Sequence, residues 1–286
     1  EGACVFHDLE MPPIDIGRLQ RFATDHVMNH DIKVFEAPPQ QNKGSVAIVG
    51  AGPAGLACAA ELGLLGYKAV VLDDKAEPGG LNRYGIAPYK LTNEEALDEV
   101  KYIQNMCQFE IRNNTRVGRD VSFQQLEQEY DAIFLGVGLG GSRPLAIPGE
   151  DIAGVMGATE FIEELRNKPL HETRVGPKVV VVGAGNTAID AATEAARLGA
   201  EEVTIVYRRG KEEMPAYEFE YELALHDRVR FCWFTAPVAV EGNGKVTGLK
   251  CSKMRAGEPD ASGRPRPVPV PDSDFVIPAD TIIKAT

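Results

Sequence analysis

The sequence predicts an α/β protein of two parallel, doubly wound sheets preceded by a short helical arm. Three observations carry that prediction. "VAIVGAGPAGLACAAELGLLGYKAVVLDD" at residues 46–74 runs from apolar strand through glycine turn and helix to a second apolar strand, and "VVVVGAGNTAIDAATEAARLGAEEVTIVYRR" at residues 179–209 repeats the pattern. The helix closes on a glycine after the same interval in both copies, Gly50 to Gly66 and Gly183 to Gly199. With 286 residues, 44% of them hydrophobic, the chain can give each copy a domain and a core of its own.

Residues 1–43 form the arm: "PPIDIGRLQRFATDHVM" has apolar residues at helical spacing after a Pro-Pro, and "FEAPPQQNKG" predicts an extended linker. Residues 44–148 form the first domain. After the repeat come a helix at "TNEEALDEVKYIQNM", a buried strand at "YDAIFLGVGLGG" and a Pro/Gly connector, "SRPLAIPGEDIAGV", which sets the domain boundary. Residues 149–286 form the second domain, with a helix at "GATEFIEELRNK" and a strand-turn-helix-strand unit from Lys178. "RVRFCWFTAPVAVEGNGKVTGLKCSKM" and "DFVIPADTIIKAT" alternate like antiparallel strands around an Asn-Gly turn, the last heading back toward the first domain. The chain has no starting Met and stops directly after a strand, so both ends read as clipped.

The net charge of -12 works against a sequence-independent grip on nucleic acid or anionic lipid, which leaves small molecules and proteins as partners. Five cysteines without a C-x-x-C pair indicate neither a disulfide framework nor a redox dithiol, and fit a reducing, cytoplasmic location. The most membrane-like window, residues 47–66, holds Glu61 and five glycines and splits into strand, turn and helix. "EGACVFHDLEMPP" lacks the basic start and apolar core of a signal peptide.

Both repeats read as dinucleotide-binding (Rossmann-like) cradles. In the first, Gly50 permits the tight turn, Gly52 lets the backbone approach a pyrophosphate, and Gly55 lets the helix pack on the sheet, with Pro53 and Ala54 between them. Asp73, at the end of the second strand, is placed to accept hydrogen bonds from a ribose, with Asp74 the neighbouring candidate. The second cradle has Gly183 and Gly185, then Asn186, Thr187 and Ala188, the last a methyl in the third glycine position. Aligned with one extra residue, Tyr207 falls opposite Asp73 and Arg208 opposite Asp74, followed by Arg209. Guanidinium groups there suit a ribose 2′-phosphate that a carboxylate would repel, so the second cradle predicts NADP(H). FAD is the redox partner for an unphosphorylated ribose in the first. In "PGGLNRYG", Gly79 and Gly80 can lie against a flat ring system, and Leu81 and Arg83 follow in the same loop.

The pieces "GAGPAGL", "PGGLNRYGIAPYKL", "YDAIFLGVG", "IPGED", "GAGNTAIDAA", "VTIVYRR", "EEMPA" and "GEPDASGRPRPVP" occur in that order over essentially the whole chain. Together they resemble the family of the glutamate synthase small (beta) chain and the flavin half of dihydropyrimidine dehydrogenase. The resemblance implies an FAD domain with an inserted NADPH domain. Hydride would pass from NADPH to FAD, and electrons would leave through iron-sulfur clusters to a large catalytic subunit of amidotransferase or pyrimidine reductase type. It also implies that residues 1–43 are the remnant of a helical iron-sulfur domain, with Cys4 a ligand only beside upstream cysteines, so that no assembled cluster is expected here. "GEPDASGRPRPVP" is similar to glutamate synthase, whereas "GGLNRYGIAPYK" and "FLGVGLGG" are similar to the pyrimidine-reducing branch. The family's Gly-Asp segment, whose acid contacts the ribityl chain of FAD, is not among these residues, so the C-terminal part of the FAD domain is expected to be absent.

Hydride transfer between stacked rings depends on positioning more than on a general acid or base, and no acid-base residue is assigned. His226, Glu218 and Glu222 fall in "EEMPAYEFEYELALHD", which predicts an exposed helix with charges on one face. Met214 and Pro215 match the family motif and are expected to shape a loop.

Overall fold

The computed structural model describes residues 4–39, 43–259 and 263–286. The linker residues Gln40–Asn42 and the "DAS" of the glutamate-synthase-like motif lie outside the described residues, as do the three residues before Cys4. The chain divides into two compact units, Glu1–Gly80 with Glu94–Gly138, and Leu81–Asn93 with Leu139–Thr286.

In chain order the first half comprises α1 (Ile16–Asn29), β1 (Ser45–Val49), α2 (Pro53–Leu64), β2 (Lys68–Leu72), α3 (Leu81–Tyr84), α4 (Asn93–Cys107), β3 (Glu110–Arg112), α5 (Phe123–Glu129) and β4 (Ala132–Leu135). The first unit is a parallel sheet of order β3-β2-β1-β4. Its central strands are continuous apolar runs because both faces are covered. Ile48, Val71, Leu56, Val100 and Phe109 pack together on one side, and Ala47, Leu72 and Leu126 on the other. A capping box starts α5, in which Ser122 Oγ accepts from the Gln125 N–H at 3.1 Å and Gln125 Oε1 accepts from the Ser122 N–H at 2.9 Å. Arg21 ties α1 down through Glu99 at 3.2 Å and Glu95 at 3.3 Å, while Ile16, Leu19 and Phe22 stay exposed.

The second half adds β5 (Val155–Gly157), α6 (Ala158–Asn167), β6 (Lys178–Val182), α7 (Asn186–Arg197), β7 (Glu202–Val206), α8 (Glu218–His226), β8 (Arg230–Cys232), β9 (Thr235–Gly242), β10 (Val246–Pro259), β11 (Pro265–Pro269), β12 (Phe275–Pro278) and β13 (Thr281–Lys284). The second unit's parallel sheet has order β5-β13-β6-β7-β8. β10 pairs antiparallel with β9, β12 and β11, leaving β11 on the edge. Phe161, Ile162, Ile189 and Ile205 form the core with α6 and α7, and Val180, Ile282, Leu249 and Cys251 the core under the antiparallel strands.

Four expectations are corrected. "YDAIFLGVGLGG" is not buried: β4 is the edge of its sheet, and Leu135, Val137 and Leu139 are exposed. "TIIKA" does not alternate antiparallel or leave the second unit; β13 lies between β5 and β6, and Ile282 and Ile283 are fully buried, which is how a central parallel strand forms from an unbroken apolar run. "AGVMG" contributes β5, a strand too short for periodicity to register. The units also part at Gly138–Leu139 rather than near residue 148, and Leu81–Asn93 goes with the second unit because its side chains bond to α6, α7 and α8.

Candidate functional site

The two cradles are built by the same contacts. After β1 the Gly50 N–H donates to Leu72 O at 2.8 Å, and after β6 the Gly183 N–H donates to Val206 O at 3.0 Å. The next strand in each sheet closes the turn: the Gly136 N–H donates to Val49 O at 2.8 Å, and the Ala285 N–H to Val182 O at 2.9 Å. Positive φ angles of 105° at Gly50 and 130° at Gly183 let the chain turn sharply, and a Cβ there would lie 2.3 Å from Gly136 O and 2.2 Å from Ala285 O respectively.

Gly52 and Gly185 are the N-caps of α2 and α7, and neither helix start carries a side-chain cap. Their first amides are therefore left for an external acceptor, which at the positive end of a helix favours an anion. A Cβ on Gly52 would meet nothing nearer than Gly80 Cα at 3.8 Å, so a ligand has room to approach the backbone there. At Gly55 a Cβ would lie 1.9 Å from Gly50 O; Ala188, fully buried, fills the corresponding place in the second cradle. Pro53 starts α2, with Ala54 exposed beside it, and Thr187 is exposed on the first turn of α7. These features fit a dinucleotide pyrophosphate at each cradle.

The strand ends differ as the spacing predicts. Val49 pairs with Leu72 and Val182 with Val206, so Asp73 and Tyr207 are the first residues beyond equivalent strands. Both N–H groups donate to the neighbouring strand, to Arg112 O and Cys232 O, each at 3.0 Å. Asp73 accepts the Ala51 N–H at 2.6 Å and the Lys75 N–H at 2.8 Å, which orients the carboxylate on the glycine turn and leaves it further lone pairs. Asp74 is exposed, 3.7 Å from Arg116. Tyr207 instead donates its hydroxyl to Glu213 O at 2.9 Å and sets its ring edge-on to Trp233. Arg208 is exposed, and among the described residues its guanidinium has no ion-pair or hydrogen-bond partner. Arg209 donates from Nε to Pro265 O at 3.3 Å.

The loop residues separate. Gly79 donates its N–H to Ala51 O at 2.8 Å, which with Gly80 beside Gly52 brings both glycines onto the first cradle. Leu81 and Arg83 belong to the second unit, where Arg83 is buried and donates to Asn93 Oδ1 and Arg166 O, both at 3.2 Å. Met214 and Pro215 lie in a loop held against the second cradle: the Ala216 N–H donates to Ala184 O at 3.3 Å and the Tyr217 N–H to Asn186 Oδ1 at 3.2 Å.

Sequence reasoning missed a polar cluster in the second unit. Asp190 of α7 accepts the Tyr89 hydroxyl and the Lys90 ammonium, and Glu220 of α8 accepts the same ammonium, all at 2.7 Å. Burial of the Lys90 ammonium opposes its charge, yet the two carboxylates raise its pKa overall. Burial raises the Tyr89 hydroxyl and the Glu194 carboxyl as well. Helix α8 is thus not the wholly exposed element expected, since Glu220 is 4% exposed, while Glu218, Glu222 and His226 do lie at the surface. The signal that could have found it is Lys90, the one charge in the run "GIAPYKLTN". Cys4 sits in the arm, its thiol lowered by the backbone N–H groups of Ile14 and Phe6.

Two parallel sheets, each leading through a glycine turn into a helix that starts without a side-chain cap, define a protein of the two-cradle dinucleotide-binding class. The chain matches the model of the pyridine nucleotide-disulphide oxidoreductase family over residues 44–285, and it belongs to that family. It is 43% identical over 280 residues to the NADPH-Fe(3+) oxidoreductase subunit beta of Geobacter sulfurreducens, covering 95% of this chain and 41% of that one. It is 39% identical over 297 residues to the glutamate synthase [NADPH] small chain of Escherichia coli, covering 100% of this chain and 62% of the relative. The chain therefore spans between about two fifths and three fifths of these relatives. Among solved structures, FprA, a Mycobacterium tuberculosis oxidoreductase, shares the fold at a TM-score of 0.71 and 21% identity, over 87% of this chain and 71% of that one.

Proposed function

We propose that the chain is the electron-input part of an NADPH-dependent flavin oxidoreductase of glutamate synthase small-chain type. The first cradle, with Gly50, Gly52, Gly55, Asp73, Gly79 and Gly80, holds FAD. The second, with Gly183, Gly185, Asn186, Thr187, Ala188, Tyr207, Arg208 and Arg209, holds NADPH. The observation that carries this reading is the shared geometry of the two cradles together with the exchange of a carboxylate for Tyr207 and Arg208 at equivalent strand ends. When bound, the pair of cofactors supplies hydride transfer from nicotinamide to flavin. The protein's own contribution is positional: uncapped helix amides take the pyrophosphates, Asp73 takes a ribose, and Arg208 takes the 2′-phosphate.

The partner is a large catalytic subunit that receives electrons through iron-sulfur clusters. The names of the relatives support this reading, as a beta subunit and a small chain. Cys4, with its lowered thiol, would ligate a cluster together with cysteines from outside this sequence.

The test is the visible spectrum of the protein after reconstitution with FAD. Flavin absorbance that is bleached anaerobically by NADPH and far more slowly by NADH is the expected result. A flavin that is retained but untouched by NADPH would leave a nucleotide-binding module without turnover and overturn the proposal.

A further inference from the structure

Beside the strand end of the second cradle lies the β10–β11 ribbon. Strand β7 continues as Tyr207–Arg209 alongside the start of β9, with the Thr235 N–H donating to Tyr207 O at 2.9 Å and the Phe234 N–H to Arg209 O at 3.0 Å. Phe234 O in turn accepts the N–H of Met254, in β10. The β10–β11 ribbon is therefore anchored by backbone to the strand end that carries the arginines. Arg209 reinforces the junction by donating Nε–H to Pro265 O, on the first residue of edge strand β11.

That hydrogen bond fixes where the next residue lies. Arg266 follows the bonded carbonyl, so its Cα is within about 6 Å of the Arg209 guanidinium by ordinary backbone dimensions. Arg255 pairs with Val268, and residues 266 and 268 share a face of β11, so Arg255 and Arg266 are diagonal neighbours on one face of the ribbon. Both are exposed, and among the described residues neither guanidinium has an ion-pair or hydrogen-bond partner, as is also true of Arg208. Like charges set this close repel one another, and a chain of net charge -12 has carboxylates enough to neutralise them. Arg208 lies just beyond β7, and Arg255 and Arg266 lie on the ribbon bonded to that strand end; cations gathered on adjoining elements suit a doubly charged anion.

We infer that the β10–β11 ribbon is part of the nucleotide site: Arg266, delivered by the Arg209–Pro265 hydrogen bond, joins Arg208 in contacting the 2′-phosphate of the adenosine ribose. This rests on the NADPH reading of the second cradle and divides its arginines by task. Arg208 and Arg266 meet the phosphate, and Arg209 positions the ribbon. A two-residue strand-end motif thus becomes a site assembled from segments more than fifty residues apart.

The experiment is calorimetric titration of the whole chain with adenosine 2′,5′-bisphosphate and with 5′-AMP, which differ only in the 2′-phosphate. The wild type should prefer the bisphosphate. Arg266→Gln should weaken the bisphosphate about tenfold, leave 5′-AMP unchanged and flatten the salt dependence of bisphosphate binding, while Arg266→Lys should restore part of the loss. A wild type that does not distinguish the two nucleotides would sink the NADPH reading itself. A discriminating wild type with an unaffected Arg266→Gln, or with equal losses for both nucleotides, would sink the ribbon's role and leave that reading standing.

Discussion

Gly52 and Gly55 look alike in the motif but are held to glycine for different reasons. A Cβ at Gly55 would lie 1.9 Å from Gly50 O, inside the fold's own backbone. Gly55→Ala should therefore cost about 3 kcal/mol in chemical denaturation. At Gly52 the Cβ would point into space, 3.8 Å from Gly80 Cα. Gly52→Ala should change stability by only about 0.5 kcal/mol, as for an N-cap exchange, yet weaken FAD at least about tenfold in a flavin-binding titration, about 1.4 kcal/mol. The spacing alone made these glycines, Asp73 and the Tyr207–Arg208 exchange legible, because a one-residue register fixes which side chain follows a strand. What spacing does not carry is where a side chain turns, so the different fates of Arg208 and Arg209 were not visible. Thiol chemistry divides the cysteines similarly: Cys4 is lowered by backbone N–H groups, whereas burial pushes Cys251 up to about 12. Since the thiolate is the reactive form, alkylation near neutral pH followed by peptide mapping should label Cys4 first and Cys251 last.

Elements are held to their unit by contacts that periodicity does not encode. Leu81–Asn93 reads as one loop with the glycines before it, but Tyr89 and Lys90 fasten it to α7 and α8 through Asp190 and Glu220. Arg166 adds a second fastening, since its guanidinium donates to the carbonyls of Arg83 and Asn82, both at 2.8 Å. Buried pairings of this kind depend on residues far apart in sequence, which explains why the charges of α8 read as a solvated face. Tyr89→Phe removes a hydrogen bond to a carboxylate and should lower stability by about 2 kcal/mol, seen as a shift in urea midpoint with unchanged slope. The place of strand β13 is hidden for a related reason: "TIIKA" shows its apolar character plainly, but its neighbours β5 and β6 are set by topology.

At the scale of the molecule, the chain holds two separately cored units. A ligand that binds one cradle should protect that unit's amides from hydrogen exchange through mass action on local opening. Adenosine 2′,5′-bisphosphate is expected to slow exchange at the start of α7 and the end of β7 while leaving β1 and the start of α2 unchanged, and FAD to do the reverse; exchange measured by mass spectrometry reads both. The two sheets share the order of their four corresponding strands, β3-β2-β1-β4 and β8-β7-β6-β13, but only the second continues, with β5 alongside β13. Among the described residues β4 has no strand on its outer side, and Leu135 at 61% and Val137 at 67% exposure border that edge. Open backbone beside bare aliphatic groups is a template for strand addition. In a test tube such an edge is where turbidity on concentration is expected to begin, so one short strand beside the first cradle would govern the colloidal behaviour of the chain.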